Sequence, residues 1–345
     1  MSSAPSKQHL TSLTLAELEA LLGNRSRAVA VLRWLHAGPL HTALPERLPN
    51  VSTDALRRLG EACELPRAQV LEAHASEDGT RKFLIELDGA TVESVLIPAR
   101  GRSTVCLSSQ AGCTRRCVFC ATATLGFKRQ LTAGEIVAQF MVARAHAPAD
   151  APATNVVFMG MGEPMDNLDQ VLRAVEVLTQ GPAPQLGAEQ VTVSSSGVLP
   201  GIKRFLRESN ASLALSLNAS TDAQRDVLMP QSKNWPIQAL MDALREDAQA
   251  HPRRVHFIEY VLFEGVNDSD EDADRVGALL SGINARVNLI PHNPVSNKDL
   301  RPPSRERILE FQKKLRAAGP RALVRWPRGR EIAAACGQLA MTRPA

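Results

Sequence analysis

Three of the six cysteines in this sequence lie within eight residues of one another, and this clustering narrows the possible folds and functions. Cys113, Cys117 and Cys120 form a C-x3-C-x2-C triplet in the segment Gly-Cys-Thr-Arg-Arg-Cys-Val-Phe-Cys, residues 112–120. Thiolates this close together can bind one soft metal centre, either zinc or an iron-sulfur cluster. Structural zinc needs four ligands, whereas a 4Fe-4S cluster held by three thiolates leaves one iron open to a substrate. The count of three favours the cluster.

Composition and the N-terminal residues together predict where in the cell this protein is found. Hydrophobic residues make up 44% of the chain and charged residues 22%, which is typical of a globular protein. No apolar run approaches the roughly 18 residues needed to span a bilayer, and the first ten residues lack the layout of a secretory signal. We therefore expect no membrane association and a cytoplasmic location, where cysteines serve metal binding or catalysis rather than structural disulfides.

Apolar segments alternate with helical patterns through most of the chain. Six of them predict strands, at residues 103–108, 155–159, 191–195, 213–217, 255–263 and 285–290. Strands separated by crossover helices are typical of a parallel sheet, so the sequence predicts an α/β fold. In such folds the active residues lie where the strands end.

The region before these strands has two different patterns. Helical periodicity at residues 13–22, 25–36 and 52–63 predicts three short helices, and Cys63 at the end of the third is expected in the core. From Gln69 to Pro98 the period changes to two, with turn dipeptides Asp78-Gly79 and Asp88-Gly89. This pattern predicts an antiparallel β-meander.

The cysteine triplet belongs to an ordered set of motifs. The others are Thr-Val-Cys-Leu-Ser-Ser-Gln-Ala-Gly-Cys at 104–113, Gly126-Phe127, Gly-Met-Gly-Glu-Pro at 160–164, Ser-Ser-Ser-Gly at 194–197 and Ala-Cys-Gly-Gln-Leu at 335–339. Together they resemble the RNA adenosine methyltransferases of the RlmN and Cfr type, a family of radical S-adenosylmethionine (SAM) enzymes. The resemblance extends over roughly residues 10 to 340 in collinear order, and it implies a partial (β/α)6 radical SAM barrel.

We predict four regions on this basis. They are an N-terminal helical RNA-binding module at 1–66, a β extension at 67–98, a barrel core at 99–296 and a basic C-terminal segment at 297–345. The basic character of the last region comes from Lys298 and from Arg301, Arg305, Arg307, Lys313, Lys314, Arg316, Arg321, Arg325, Arg328 and Arg330. Such a density of positive charge is expected of a phosphate-contacting surface, and also of a solvated helix surface.

The resemblance also implies the cofactor sites. Cys113, Cys117 and Cys120 would bind a 4Fe-4S cluster, and two SAM molecules would be used per turnover. The positions that match SAM contacts in the family are Gly162, Glu163, Ser194, Ser216, Leu217, Asn218 and Asn293. The family usually has a histidine in place of Asn218 and often a tryptophan in place of His292, so the pocket of this chain differs in detail.

Two further cysteines and one glutamate are implied to be catalytic. In the family, the residue matching Cys336 accepts a methyl group from one SAM, and the residue matching Cys106 later releases the product through a transient disulfide. Radical chemistry is needed between these steps because carbon 2 or 8 of adenine cannot displace a sulfonium methyl as an amine nitrogen can. Glu93 matches the proton acceptor, although a strand glutamate without this resemblance would be expected to face solvent.

The resemblance therefore implies an enzyme that methylates carbon 2 of an adenosine in 23S rRNA and in tRNA, and we expect it to be a monomer. Its electron donor would be a protein such as flavodoxin with its reductase. Three alternatives stay open at this point. They are methylation of carbon 8, a divergent radical SAM enzyme acting on another RNA, and a zinc-stabilised RNA-binding protein in which Cys106 completes a four-cysteine site.

Overall fold

A computed structural model describes residues 7–295 and 299–341 of the chain. Residues 1–6 of the predicted N-terminal module, the predicted boundary at 296–297, Lys298 and residues 342–345 lie outside the described residues. The helices are α1 Leu15–Leu22, α2 Arg25–Leu35, α3 Thr53–Ala62, α4 Ala133–Arg144, α5 Leu168–Gln180, α6 Leu199–Glu208, α7 Asp222–Leu228, α8 Ile237–Ala250, α9 Asp270–Leu279 and α10 Arg305–Ala317.

The strands begin near the N-terminus and end in the basic segment. They are β1 Gln8–His9, β2 Cys63–Glu64, β3 Ala68–Ala75, β4 Arg81–Leu87, β5 Ala90–Ala99, β6 Arg102–Cys106, β7 Gln110–Gly112, β8 Phe127–Gln130, β9 Ala153–Phe158, β10 Val191–Ser195, β11 Ser212–Ser216, β12 His256–Leu262, β13 Ala285–Pro291 and β14 Arg321–Val324. The six strands predicted for the parallel sheet correspond to β6 and β9 to β13.

A ten-stranded sheet dominates the fold, in the order β14-β13-β12-β11-β10-β9-β6-β5-β4-β3. From β6 to β14 every neighbouring pair is parallel. The predicted meander β3-β4-β5 is antiparallel and joins the same sheet, because β5 pairs with β6. The α/β class and the partial barrel are thus present, and the β extension continues the barrel sheet.

The N-terminal helices begin at capping residues that the sequence indicates. Thr14 caps α1 in a capping box with Glu17, and Ser52 caps α3. Apolar residues of these helices, among them Leu18 and Leu22, belong to the same hydrophobic cluster as the barrel strands. Cys63 is buried in that cluster, as predicted. The predicted RNA-binding role of this module stays a prediction.

The basic C-terminal segment is partly neutralised within the protein. Arg307 pairs with Asp270, Lys314 Nζ lies 3.2 Å from Asp274, and Arg328 Nε lies 3.1 Å from Asp78. The positive charge available to an RNA is therefore smaller than the sequence suggests. Among the described helices, none combines the length and apolarity required to cross a membrane.

After β14 the chain returns across the barrel to the meander. Gly329 donates its N–H to Asp78 Oδ2 at 3.2 Å, and Glu331 Oε1 accepts the N–H of Glu77 at 3.2 Å. Asp78 belongs to the predicted turn between β3 and β4. These contacts direct residues 329–341, which we call the C-terminal strap, over the carboxyl ends of the parallel strands.

Candidate active site

A cavity lies at the carboxyl ends of the parallel strands, under the C-terminal strap. Its wall includes almost all of the predicted cluster and SAM residues, together with Cys336: Cys113, Cys117, Cys120, Gly162, Glu163, Ser194, Ser216, Asn218, Asn293 and Cys336. Three predicted residues, Leu217, Cys106 and Glu93, do not line it. Strand ends that are far apart in sequence thus converge on one site.

The cysteine triplet is held in a loop closed by a short hairpin. Gly112 ends β7 with a φ of +76°, and a Cβ atom there would lie 1.8 Å from the carbonyl oxygen of Gly126. Glycine is therefore required for the hairpin to close. The Cys113 N–H donates to that same carbonyl at 3.1 Å, and the Val118 N–H donates to Leu228 O at 3.0 Å. These bonds fix the loop against the barrel rim.

The three thiols fit an iron-sulfur cluster. Burial raises the pKa of the Cys113 thiol to about 12. Burial, followed by the neighbouring thiols of Cys120 and Cys113, also holds the pKa of Cys117 well above its usual range. Cys113, Cys117 and Cys120 line one cavity wall. Three cysteine thiolates are a donor set that suits a 4Fe-4S cluster, in which each binds a separate iron.

A single replacement tests this assignment of the metal ligands. We expect Cys117→Ala protein, reconstituted anaerobically, to fall from about four iron atoms per chain to below about one, with loss of the brown absorption band. Cys63→Ala is the matched control, because Cys63 is a thiol of the core that does not line the cavity. Elemental analysis measures the iron. Full iron content in the Cys117 variant would contradict the assignment.

Glu163 is a buried carboxylate with both oxygens in use. Its Oε1 accepts the N–H of Met165 at 3.0 Å, and its Oε2 accepts the N–H of Ser196 at 2.7 Å. Burial raises its pKa. Each carboxylate oxygen can accept a second bond, so the group can still bind a cation such as an amino group. Gly162, with a φ of +103°, lets the preceding loop pack against Gln110.

Asn218 is used mainly within the protein. It adopts a left-handed conformation with a φ of +56°. Its Oδ1 accepts the N–H of Val261 at 2.9 Å, and its Nδ2 lies 3.4 Å from Met229 Sδ. The asparagine therefore closes the cavity wall between β11 and β12. Leu217 is fully buried in the core instead, so only its main chain can reach a ligand.

The opposite wall is formed by residues that follow β13. Asn293 Nδ2 donates to the carbonyl oxygen of Cys336 at 3.2 Å, and its buried Oδ1 has no hydrogen-bond partner among the described residues. The ring of His292 packs on Phe263 at a centroid distance of 4.9 Å. Burial, and secondarily Arg330, lower the pKa of His292 to about 4, so the ring is neutral. An unpaired acceptor beside Cys336 is suited to a ligand hydroxyl or amine.

Glu259 lines the cavity and was not among the predicted site residues. It accepts a hydrogen bond from Asn288 Nδ2 at 2.7 Å. Burial raises its pKa to about 7. The signal in the sequence was a single carboxylate within the largely apolar strand segment 255–263. Because strand residues alternate in direction, Glu259 and Val261 share the cavity face.

Cys106 and Cys336 belong to different parts of the fold, the first to the sheet and the second to the strap. Cys106 is buried at the end of β6, and Cys336 is exposed to the cavity. Burial raises the pKa of Cys106 well above its usual range, and the nearby Cys336 thiol contributes. Although the Cys336 side chain opens into the cavity, the protein around it reduces the hydration of the thiol, and this desolvation, followed by the charge of Glu259, raises its pKa to about 11. The Cys336 thiol thus lies close enough to affect the ionisation of Cys106.

Glu93 lies beneath the strap rather than at the cavity. It is only 1% exposed, so the expectation that a strand glutamate faces solvent is wrong. The reason is a buried partner, because Lys82 Nζ lies 3.0 Å from Glu93 Oε1. The backbone of β5 places it on the same sheet face as Cys106, since Val95 pairs with Cys106 and Glu93 is two residues away.

This fold and this cavity define a radical SAM enzyme. Residues 107–276 match the Radical SAM superfamily. A radical SAM methyltransferase from Sphaerobacter thermophilus superposes with a TM-score of 0.88 at 40% identity, over 96% of this chain and 99% of that one. The cofactors of this class are a 4Fe-4S cluster and SAM, which agrees with the residues on the cavity wall.

Curated relatives identify the family more closely. The dual-specificity RNA methyltransferase RlmN of Marinobacter nauticus is 41% identical over 98% of this chain and 94% of its own length. That of Phenylobacterium zucineum is 40% identical over 97% and 91%. A probable RNA methyltransferase of Sorangium cellulosum is 48% identical over 80% and 69%. The chain therefore belongs to the RlmN family of radical SAM methyltransferases, which use two SAM per turnover, and the non-enzymatic zinc module is excluded.

Proposed function

We propose that this protein methylates carbon 2 of an adenosine in 23S rRNA and in tRNA, with Cys336 as the methyl carrier and Cys106 as the resolving thiol. The observation that carries the proposal is the position of Cys336. Its thiol opens into the cavity lined by the cysteine triplet and Glu163, while Cys106 ends β6 on the sheet face that the strap contacts through Glu93. The Cys336 thiol would thus be available to the cofactor, and the Cys106 thiol would be available to react with Cys336.

The cavity residues would bind and orient the cofactors. Cys113, Cys117 and Cys120 would hold the cluster, and Glu163 would bind the amino group of SAM. When bound, the cluster and SAM supply a carbon radical strong enough to remove hydrogen from an unactivated methyl group. The buried Oδ1 of Asn293 provides an acceptor on the wall beside Cys336. These contacts would keep the reactive carbon close to Cys336 and away from water.

Cys336 would act first as a nucleophile. The Cys336 thiol would lose its proton to solvent, and its sulfur would then accept the methyl group that bound SAM supplies, with the electron pair of the broken sulfonium bond staying on the departing thioether. The Asn293 side chain, which donates to the Cys336 carbonyl, fixes the backbone of the nucleophile. The raised pKa of Cys336 lowers the fraction of reactive thiolate. A fixed orientation toward the methyl group would compensate for that loss of rate.

Cys106 would act last. Once the carbon carried by Cys336 is attached to the base, the Cys106 thiolate attacks the Cys336 sulfur. A disulfide forms, the bond from Cys336 sulfur to the carbon breaks, and the carbon keeps the electron pair and takes up a proton. Glu93 would accept the proton that the base carbon loses. Glu93 does not line the cavity, and its Oε2 accepts the Met341 N–H at 3.1 Å, so the strap would have to move for a base to reach this carboxylate.

Membership of the RlmN family supports carbon 2 over carbon 8, and the dual-specificity names of the relatives support two RNA substrates. The divergent enzyme with another RNA is less well supported, since Asn218 fits the wall by bonding within the protein. The proposal includes a protein electron donor such as flavodoxin with its reductase. We propose that the enzyme acts as a monomer in the cytoplasm, where both RNAs are found.

Isotope transfer tests the proposed function. Anaerobically reconstituted protein is incubated with a reductant, methyl-labelled SAM and either 23S rRNA transcript or tRNA, and the nucleosides are analysed by mass spectrometry. We expect label in 2-methyladenosine from both RNAs. Label in 8-methyladenosine would instead indicate the other branch of the family. No label from protein shown to contain its cluster would contradict RNA methylation.

A further inference from the structure

An ion pair is buried under the C-terminal strap. Lys82 Nζ lies 3.0 Å from Glu93 Oε1, and the two side chains are 2% and 1% exposed. Lysine is almost never fully buried unless it is paired. A buried ion pair is seldom more stabilising than apolar residues of similar volume, whereas removing one partner is strongly destabilising. The pair therefore suggests a role in holding a specific arrangement.

Both members of the pair contact the strap, one on each side of Cys336. Lys82 Nζ lies 3.5 Å from the carbonyl oxygen of Ala333, and Glu93 Oε2 accepts the N–H of Met341 at 3.1 Å. Ala333 precedes Cys336 by three residues, and Met341 follows it by five. The loop that carries Cys336 is thus fixed at both ends by one buried pair.

The backbone at these two contact points is strained. Ala333 has a φ of +51° and Met341 a φ of +56°, a left-handed conformation that is unfavourable for residues other than glycine. Such conformations persist only where the surrounding structure enforces them. The contacts with Lys82 and Glu93 are made at these two residues and therefore stabilise their left-handed conformations.

The pair also lies beside Cys106. In the sheet Lys82 is paired with Val95, and Val95 is paired with Cys106, so the three residues form one row across β4, β5 and β6. Residues in such a row share a face, and Glu93 joins that face two positions along β5. The strap is therefore fixed on the side of the sheet from which Cys106 must reach Cys336.

We propose that the Lys82–Glu93 pair is a clamp that positions Cys336 between the cavity and Cys106, with Lys82 as a positioning residue for both chemical steps. The proposal rests on the proposed role of Cys336. In the closed arrangement the clamp presents the thiol to the cavity. Opening of the clamp frees Glu93 from Met341 and allows an RNA base to enter beside Cys336.

Hydrogen exchange of the full-length protein, without SAM or cluster, tests the clamp independently of activity. We expect Lys82→Met to increase exchange in residues 329–341 about tenfold or more, with the barrel strands unchanged. Lys203→Met is the matched control, because Lys203 forms an exposed pair with Glu246 at 3.8 Å. Its exchange should equal that of the unmodified protein. Lys82→Arg, which keeps the charge, should restore part of the protection.

Kinetics of the loaded enzyme provide the second measurement. In Lys82→Met we expect kcat for RNA methylation to fall while KM for SAM stays constant, because the cofactor-binding residues are untouched. Less Cys336 should carry a methyl group in intact-protein mass spectra. If Lys82→Met does not fold, the double variant Lys82→Met/Glu93→Gln removes both buried charges and should fold with the strap still loosened.

Two results separate the clamp from the proposed function. Unchanged exchange of residues 329–341 in Lys82→Met and in the double variant Lys82→Met/Glu93→Gln would overturn the clamp, whatever the activity of these variants. No methyl group on Cys336 of the cluster-loaded, unmodified protein would contradict the proposed function, and the exchange result would still decide whether the strap is clamped.

Discussion

Replacing Cys336 with alanine is expected to lower RNA methylation more than about a thousandfold, since a reaction that depends on a covalent carrier loses its route when the nucleophile is removed. Cys336 is the cysteine of the strap, and its thiol opens into the cavity. None of the other cavity-lining cysteines is available as a substitute if the triplet binds the cluster. The expected product of the variant is unmodified RNA, measured by nucleoside mass spectrometry.

The same variant should keep its cofactors, which makes the result specific. Cys336 is far in sequence from the triplet, and the Asn293 contact is to its main-chain carbonyl, which alanine retains. Iron content and SAM binding are therefore expected to match those of the unmodified protein. Matched loss of cluster and activity would instead assign Cys336 a structural role, and methylation near the normal rate would exclude the methyl-carrier mechanism.

The helices and parallel strands could be predicted because their signals are local. The cap at Thr14 and the alternation of valine with polar residues in β10 need only neighbouring residues to specify them. The hairpin of β7 and β8 was missed because its strands are short and largely polar. It forms because Gly112 allows its backbone to approach Gly126 closely, which no pattern of hydrophobicity reports. Helix α7 was also not predicted, because its seven residues are too few to show a clear helical periodicity.

The site was predicted best where strand ends converge and least well where side-chain direction decides. Ser216 lines the cavity, so Leu217, which follows it, turns into the core. Glu93 is buried because of Lys82, a partner on another strand. Long-range pairs of this kind depend on register, and the spacing of residues along one strand does not reveal them.

Replacing Cys106 with alanine is expected to stop turnover after one event and leave RNA covalently attached to the protein. Without the Cys106 thiolate, nothing in the mechanism breaks the bond between the Cys336 sulfur and the carbon attached to the base. The adduct should appear as a slow RNA band on a denaturing gel, and mass spectrometry should locate it on Cys336. Its yield should approach one RNA per active protein.

Two controls distinguish resolution from general damage. Cys63→Ala removes another buried thiol of the same core and should turn over normally. The double variant Cys106→Ala/Cys336→Ala should form no adduct, since the carrier is absent. The positions of the two cysteines explain why their variants should differ. Cys106 ends β6 on the face covered by the strap, and the Cys336 thiol contributes to its raised pKa. Cys63 packs in the core at the end of α3. Multiple turnovers by Cys106→Ala would show that product release uses another group.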